Sequence, residues 1–462
     1  MNSAARNTII IVLCLQFICC ANITCADVAC ASAPIDDEIL IDSLTNDIVH
    51  RQLDLERYYL KYRVHGTKEP KWRRARYFGL QVSSAMCGLA SNFTQIGLSG
   101  SHMKDPEKIS IKGSRQGLEV GMVGIVLDGG SSVVELCSNG LTALKNIKNG
   151  TSPGAAVKNV VARVKVIDAL LAERDALVKK HPELAATNVY QAEGRVLKSF
   201  RDWCLSEFAD VYADVKSSQA SANVYYALDI AADSVYMASQ ILAIKSLTND
   251  EHSIPSTNTG IVGDSIGIAS APASTKSYNI MYKFWRKRLA KRMQEDLIKS
   301  EDETKAAMGE LNKELSSKDV SVLEAAGSVQ NRVSVYLLWS GRYDQYIQQG
   351  LVDQRHQNKV ALQGELSGPA ISGTYLAQDI LSSVALKEFA RRPRAQNNLY
   401  LAGSISAAAG TAASLALTNY WLFDQIRYRR KMAAKGMLPE QLLAARLKTL
   451  DELDARIFHS GR

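Results

Sequence analysis

The sequence predicts an all-α protein: three Gly/Ala/Ser-rich helical hairpins linked by long amphipathic helical arms in an internal threefold repeat. Three observations predict it. No run of alternating apolar and polar residues marks a strand. Two window types alternate in the same order three times along the chain. Charge-poor, small-residue stretches alternate with stretches rich in Lys, Glu, Ala and Leu, which are helix formers. The 462 residues are 46% hydrophobic and 22% charged, with a formal net charge of +8, so wholesale disorder is excluded.

Residues 1–31 read as a signal peptide. Arg6 precedes an uncharged apolar run ending at Ala21, and Ala29-Cys30-Ala31 is an A-x-A cleavage site. The run is also short of the ~20 residues that span a bilayer. Its removal takes Cys14, Cys19, Cys20, Cys25 and Cys30 with it, leaving Cys87, Cys137 and Cys204. Three thiols are no disulfide scaffold. A Cys87–Cys137 bridge stays open, beside the reading of small apolar helix residues.

Residues 32–76 form an N-terminal helical segment. Hairpin 1 covers 77–144, hairpin 2 covers 224–283 and hairpin 3 covers 368–424. The arms are 145–223 and 284–367, and 425–462 is a C-terminal amphipathic helix. The first window of each repeat is a Tyr followed four residues on by a polar group: Tyr77 with Gln81, Tyr225 with Asp229, Tyr375 with Asp379. The second is a Gly eleven residues before a Ser: Gly121 and Ser132, Gly263 and Ser274, Gly403 and Ser414. Charged turn segments such as Lys104-Asp105-Pro106-Glu107 close the hairpins. In the arms, Val160, Val164, Ile167 and Leu171 make an a/d stripe, repeated by Leu443, Leu447, Leu450 and Ile457 after Pro439.

The residues of the hairpins pull two ways on membrane entry. Tyr77–Met103 and Ala395–Phe423 hold no Asp, Glu, Lys or Arg and exceed the ~20 residues needed to span. Gly117 with Gly121, and Gly263 with Gly267, have the spacing that lets helices approach closely, and Gly403 belongs to the same set. Basic and aromatic residues stand at the hairpin ends as interfacial anchors would: Trp72, Arg73, Arg74 and Arg76; Trp285, Arg286, Lys287 and Arg288; Trp421, Arg427, Arg429 and Arg430. Against this, Glu119, Asp128, Glu135, Asp229, Asp233, Asp264 and Asp379 interrupt the segments. A charge at mid-bilayer costs about 2.5–3.5 kcal/mol on the insertion scale. Those acids must face the bundle interior, or else the hairpins form a soluble exported bundle. Of the polar positions, Gln81, Asp229 and Asp379 are the repeated set, fit either to bind cations or to join helices.

Gly263-Asp264-Ser265-Ile266-Gly267 matches the G-x-S-x-G nucleophile pattern, but no strand precedes it and Gly263 recurs as Gly121 and Gly403 without the Ser. The seven histidines have no zinc spacing. Hence no catalytic, cofactor-binding or metal-ligating residues are predicted, and no enzyme. The expected function is that of an exported, membrane-associated scaffold acting through helix–helix association in a cell-envelope assembly, on the extracytoplasmic side. The alternative is a membrane-active bundle, either pore former or permease-like, and the third is a serine hydrolase at Ser265. Expected partners are proteins or a second copy, with a membrane or anionic lipid surface. No nucleic acid and no small-molecule substrate are expected.

Overall fold

A computed structural model describes residues 34–67, 71–104, 110–181, 188–293, 301–316 and 325–459. The expected signal peptide lies outside them. Among the described residues the chain is helical and without strands. The helices are α1 (Pro34–Thr67), α2 (Lys71–Lys104), α3 (Ile111–Lys148), α4 (Pro153–Lys180), α5 (Val189–Ser246), α6 (Ser253–Met293), α7 (Glu301–Leu315), α8 (Ala325–Glu388), α9 (Pro393–Ala434) and α10 (Pro439–His459).

Local sequence sets the ends. Ser110 caps α3 by accepting from the Gly113 amide at 3.2 Å, and Ser152 caps α4 with Pro153 at its first position. Gly150 and Gly436 adopt φ of 68° and 69° just past α3 and α9, a conformation that favours glycine.

Six helices pack in cyclic order. Within hairpins, α2 packs on α3, α5 on α6 and α8 on α9; between hairpins, α3 packs on α5, α6 on α8 and α9 on α2. The ring is therefore closed. The remaining helices form a head: α1, α4, α7, α10, the first half of α5 and the start of α8 share one hydrophobic core. The predicted stripes lie in it. Val160, Val164, Ile167, Leu171, Leu450 and Ile457 are buried, with Leu443 and Leu447 packed against them. Phe200 stacks on Trp339 with centroids 4.2 Å apart and planes 3° apart, and Trp203 meets Tyr343 edge-on.

Two of the expected segment limits lie within continuous helices. Positions 224 and 368 fall inside α5 and α8, which run unbroken from head to ring. Residues 217–230 contain no Gly or Pro to interrupt α5, and in α8 Pro369 is accommodated within the helix. Cys87, Cys137 and Cys204 are all free thiols, so the bridge left open between Cys87 and Cys137 is not formed.

Candidate functional site

The most distinctive chemistry is in the ring, where every seam is crossed by a polar contact. Between α2 and α3, Gln81 donates to Asp128 and, at 3.0 Å, to Ser131. Between α3 and α5, the Ser132 hydroxyl donates to Asp229 at 2.6 Å, and Asn139 donates to Asn223 at 2.7 Å. Between α5 and α6, the Tyr236 hydroxyl donates to Asp264 Oδ1 at 2.6 Å. Asp264 and Asp379 lie within hydrogen-bonding reach of each other across α6 and α8. Tyr375 and Thr411 join α8 to α9 at 2.5 Å, and Asn92 donates to Thr411 at 3.1 Å to close the circuit onto α2.

The repeated polar positions thus all lie on seams, but they are not equivalent. Asp229 and Asp379 reach back to the second helix of the preceding hairpin, while Gln81 turns to the second helix of its own. The carboxylate oxygens of Asp128, Asp229 and Asp233 lie within 4.8 Å of one another, a spacing one cation would bridge. Sequence reasoning named no metal ligands. The signal that could have found this trio is weak, since Asp128 and Asp229 are a hundred positions apart and no helical period relates them.

Small residues make the close approaches. A Cβ at Gly263 would stand 2.8 Å from the Tyr236 ring, one at Gly121 3.0 Å from Ser91 Oγ, and one at Gly117 3.1 Å from Thr94 and Gln95. At Gly403 and Gly267 the nearest atoms, of Gln378 and Ser372, would be 3.3 Å away. Within the second window type, Gly263 is thus a contact surface for an aromatic ring. Ser265 is a turn-internal helix residue: it lies in mid-α6, exposed, its hydroxyl donating to the Ile261 carbonyl at 2.7 Å. A nucleophile elbow sits on a strand-to-helix turn, whereas Ser265 stands within a continuous helix.

The outer face of the ring is apolar. Met86, Phe93, Val123, Val126, Val262 and Ile405 are each more than half exposed. Exposed hydroxyls on these helices turn inward on their own backbone: Ser83 donates to Gly79, Ser138 to Val134, Ser234 to Ile230 and Thr259 to Pro255. Three stretches, in Ile111–Lys180, Val189–Ser246 and Pro393–Ile457, are long and apolar enough to cross a membrane. Only 6% of the apolar window in Val189–Ser246 is buried within the protein.

The predicted anchors divide. Trp72, Lys287, Arg288, Arg427, Arg429 and Arg430 are exposed, and Trp421 is half-buried. The Arg74 side chain lies outside the described residues. Arg73 and Arg76 are not surface anchors: both pair with the buried Glu135 of α3, Arg76 at 2.6 Å. Trp285 packs on Tyr212 under Lys216, against the head, and Arg286 pairs with Asp210 at 2.9 Å. These four are drawn inward because each has an acid or aromatic partner on a neighbouring helix, which sequence spacing does not reveal.

The head holds its own buried ionic group. Glu193, fully buried, accepts from Arg174 at 2.9 Å, from Arg332 at 2.7 Å and from Tyr336 at 3.1 Å. Burial works against its charge, but the two guanidiniums outweigh it and hold its pKa below the ordinary range. A second group joins Arg446 to Glu56 at 2.7 Å. No family model, curated protein or solved structure matches this chain.

Proposed function

We propose that this protein is a membrane-anchored scaffold. The six-helix ring sits in a bilayer and holds the head at one surface, where its helices associate with protein partners or a second copy. The observation that carries this reading is the apolar outer face of the ring, with Asp128, Asp229, Asp264 and Asp379 turned into the seams; Glu119, expected to face inward, is instead exposed and paired with Arg115. Contiguous exposed apolar surface on this scale marks a membrane or protein interface. α5 and α8 begin in the head core, and the turns that follow them, at 247–252 and 389–392, come after their ring halves. Phe284, Phe423 and Tyr420, exposed beside Arg288, Arg427 and Arg430 at the head end, suit a headgroup layer. Carbonate extraction of a membrane fraction tests the reading: the chain is expected in the pellet, and release into the soluble phase overturns it. The proposal includes export across a membrane, supported by the uncharged apolar run and A-x-A site of residues 1–31; N-terminal sequencing of the mature chain checks it, with Met1 retained as the opposing result.

The polar circuit favours a second reading, a permease-like or pore-forming bundle, because acids in a membrane bundle often mark ion pathways. Dye leakage or ion flux in liposomes carrying the purified chain is the corresponding measurement.

A further inference from the structure

We propose that Asp264 and Asp379, with the Tyr236 hydroxyl as support, form a binding site for a divalent metal cation between α6 and α8. The inference goes beyond the scaffold reading and does not require it, since it rests on the interior of the ring alone. Asp264 is completely buried. Its Oδ1 accepts from Tyr236, while no group other than the Asp379 carboxyl stands to donate to its Oδ2. A buried carboxylate oxygen without a partner is costly and rare. What faces this carboxyl is a second carboxyl, that of Asp379.

The space is built for that arrangement. Gly260, one helical turn before Asp264, leaves room that the Asp379 carboxyl fills, and a Cβ there would overlap Asp379 Oδ2. Any other residue at this position would push Asp379 away from Asp264. Two carboxyl groups held face to face need a positive charge between them. No Lys or Arg pairs with either among the described residues. The other groups near the pair add none: Tyr236 from α5, beside which Asp233 also lies, and Tyr375 from α8, which itself lies within electrostatic reach of Asp128. In the empty site one proton shared by the pair can supply the charge. A divalent ion matches both carboxylates, and oxygen donors select the calcium, magnesium and manganese class. Asp379 is half-buried rather than sealed, which leaves the pair a route for exchange. Binding then releases the shared proton: the metal forms bonds to one oxygen of each carboxylate, and the proton leaves to solvent, so affinity rises with pH.

The test is Mn²⁺ binding to the purified full chain, read by electron paramagnetic resonance at pH 8 and pH 5.5, with proton release followed in weak buffer. One ion bound at this site at pH 8, weaker binding at pH 5.5 and about one proton released are expected. Asp264→Asn and Asp379→Asn should each weaken binding at least tenfold. Gly260→Ala, which keeps both acids but displaces one, should weaken it too, and Ser265→Ala on the same helix should leave it unchanged. Only variants that stay monodisperse on gel filtration are compared. Absence of binding to the wild type overturns the proposal. So does binding that survives all three pair variants, including the case in which Asp233→Asn alone abolishes it.

Discussion

The ring and the head are built from the same helices by opposite means. The head is held by large side chains: Phe200, Trp203, Trp339 and Tyr343 fill its centre, and ions enter only as closed groups such as Arg174–Glu193–Arg332. The ring is held largely by small ones, with Gly and Ser at many contacts, and apolar side chains such as Phe93, Val126 and Ile405 point outward. In water, burying large apolar surface drives association. In lipid that drive is absent between helices, and close backbone approach with interhelical hydrogen bonds takes its place. On the proposed membrane reading, the change of pattern along the continuous helices α5 and α8 falls where the chain would pass from water to lipid.

Substitutions of opposite sense should break the two regions. The largest effect is expected from Glu193→Ala in the head. It strands two buried guanidiniums and should destabilise by about 3–5 kcal/mol, read by thermal unfolding of the full chain in detergent. The same group sets an acid limit. The Glu193 pKa is lower in the folded chain, so the unfolded chain takes up the extra proton as pH falls. Its stabilising contribution is present at neutral pH and should be lost as pH drops below about 4.5, the ordinary glutamate value. Phe200→Ala should cost about 3–5 kcal/mol by the same measurement.

Val126→Lys, at the depth of the Asp128 contact on the outer face of α3, sharpens the comparison most directly. If that face meets lipid, insertion is penalised by about 2.5–3.5 kcal/mol and carbonate-resistant protein falls. If it meets water, stability changes by less than about 0.5 kcal/mol. Gly263→Ala, which crowds Tyr236, should cost about 1–3 kcal/mol, the reverse of the head, where removing bulk does the damage. Gly97→Ala, with nothing within 4 Å of its Cβ position, is its control and should be neutral or stabilising. Smallest of all, Arg115→Ala removes an exposed pair with Glu119 and should cost no more than about 0.5 kcal/mol.

Much of the ring is legible in the sequence because lipid-compatible stretches announce themselves by what they lack. The absence of charge from Tyr77 to Met103, the glycine spacing and the recurring Tyr all mark ring helices. The head's stripes at Val160–Leu171 and Leu443–Ile457 are equally visible, since a 3.6-residue period betrays a buried face. What the sequence hides is partnership at long range. Ser132 and Asp229, Arg73 and Glu135, and Arg332 and Glu193 meet because helices far apart in the chain come together, and nothing local distinguishes them from solvated residues. The hairpin limits at 224 and 368 carry no helix break because composition changes there while helix propensity does not.

The two long helices also differ in one detail. α5 crosses from head to ring without a proline, whereas α8 carries Pro369 at the crossing. At 1.5 Å per residue the 58-residue α5 is a shaft roughly 87 Å long. A tilt of the head by ~5° would swing the tip of the roughly 33 Å of α5 inside the ring by roughly 3 Å, were it free to follow. Pro369 removes a backbone hydrogen bond and gives α8 a joint where α5 has none. Asp229 therefore stands on a helix with an unbroken hydrogen-bond ladder, and Asp379 ten residues beyond the one that Pro369 removes, so the two acids are held by helices of different stiffness.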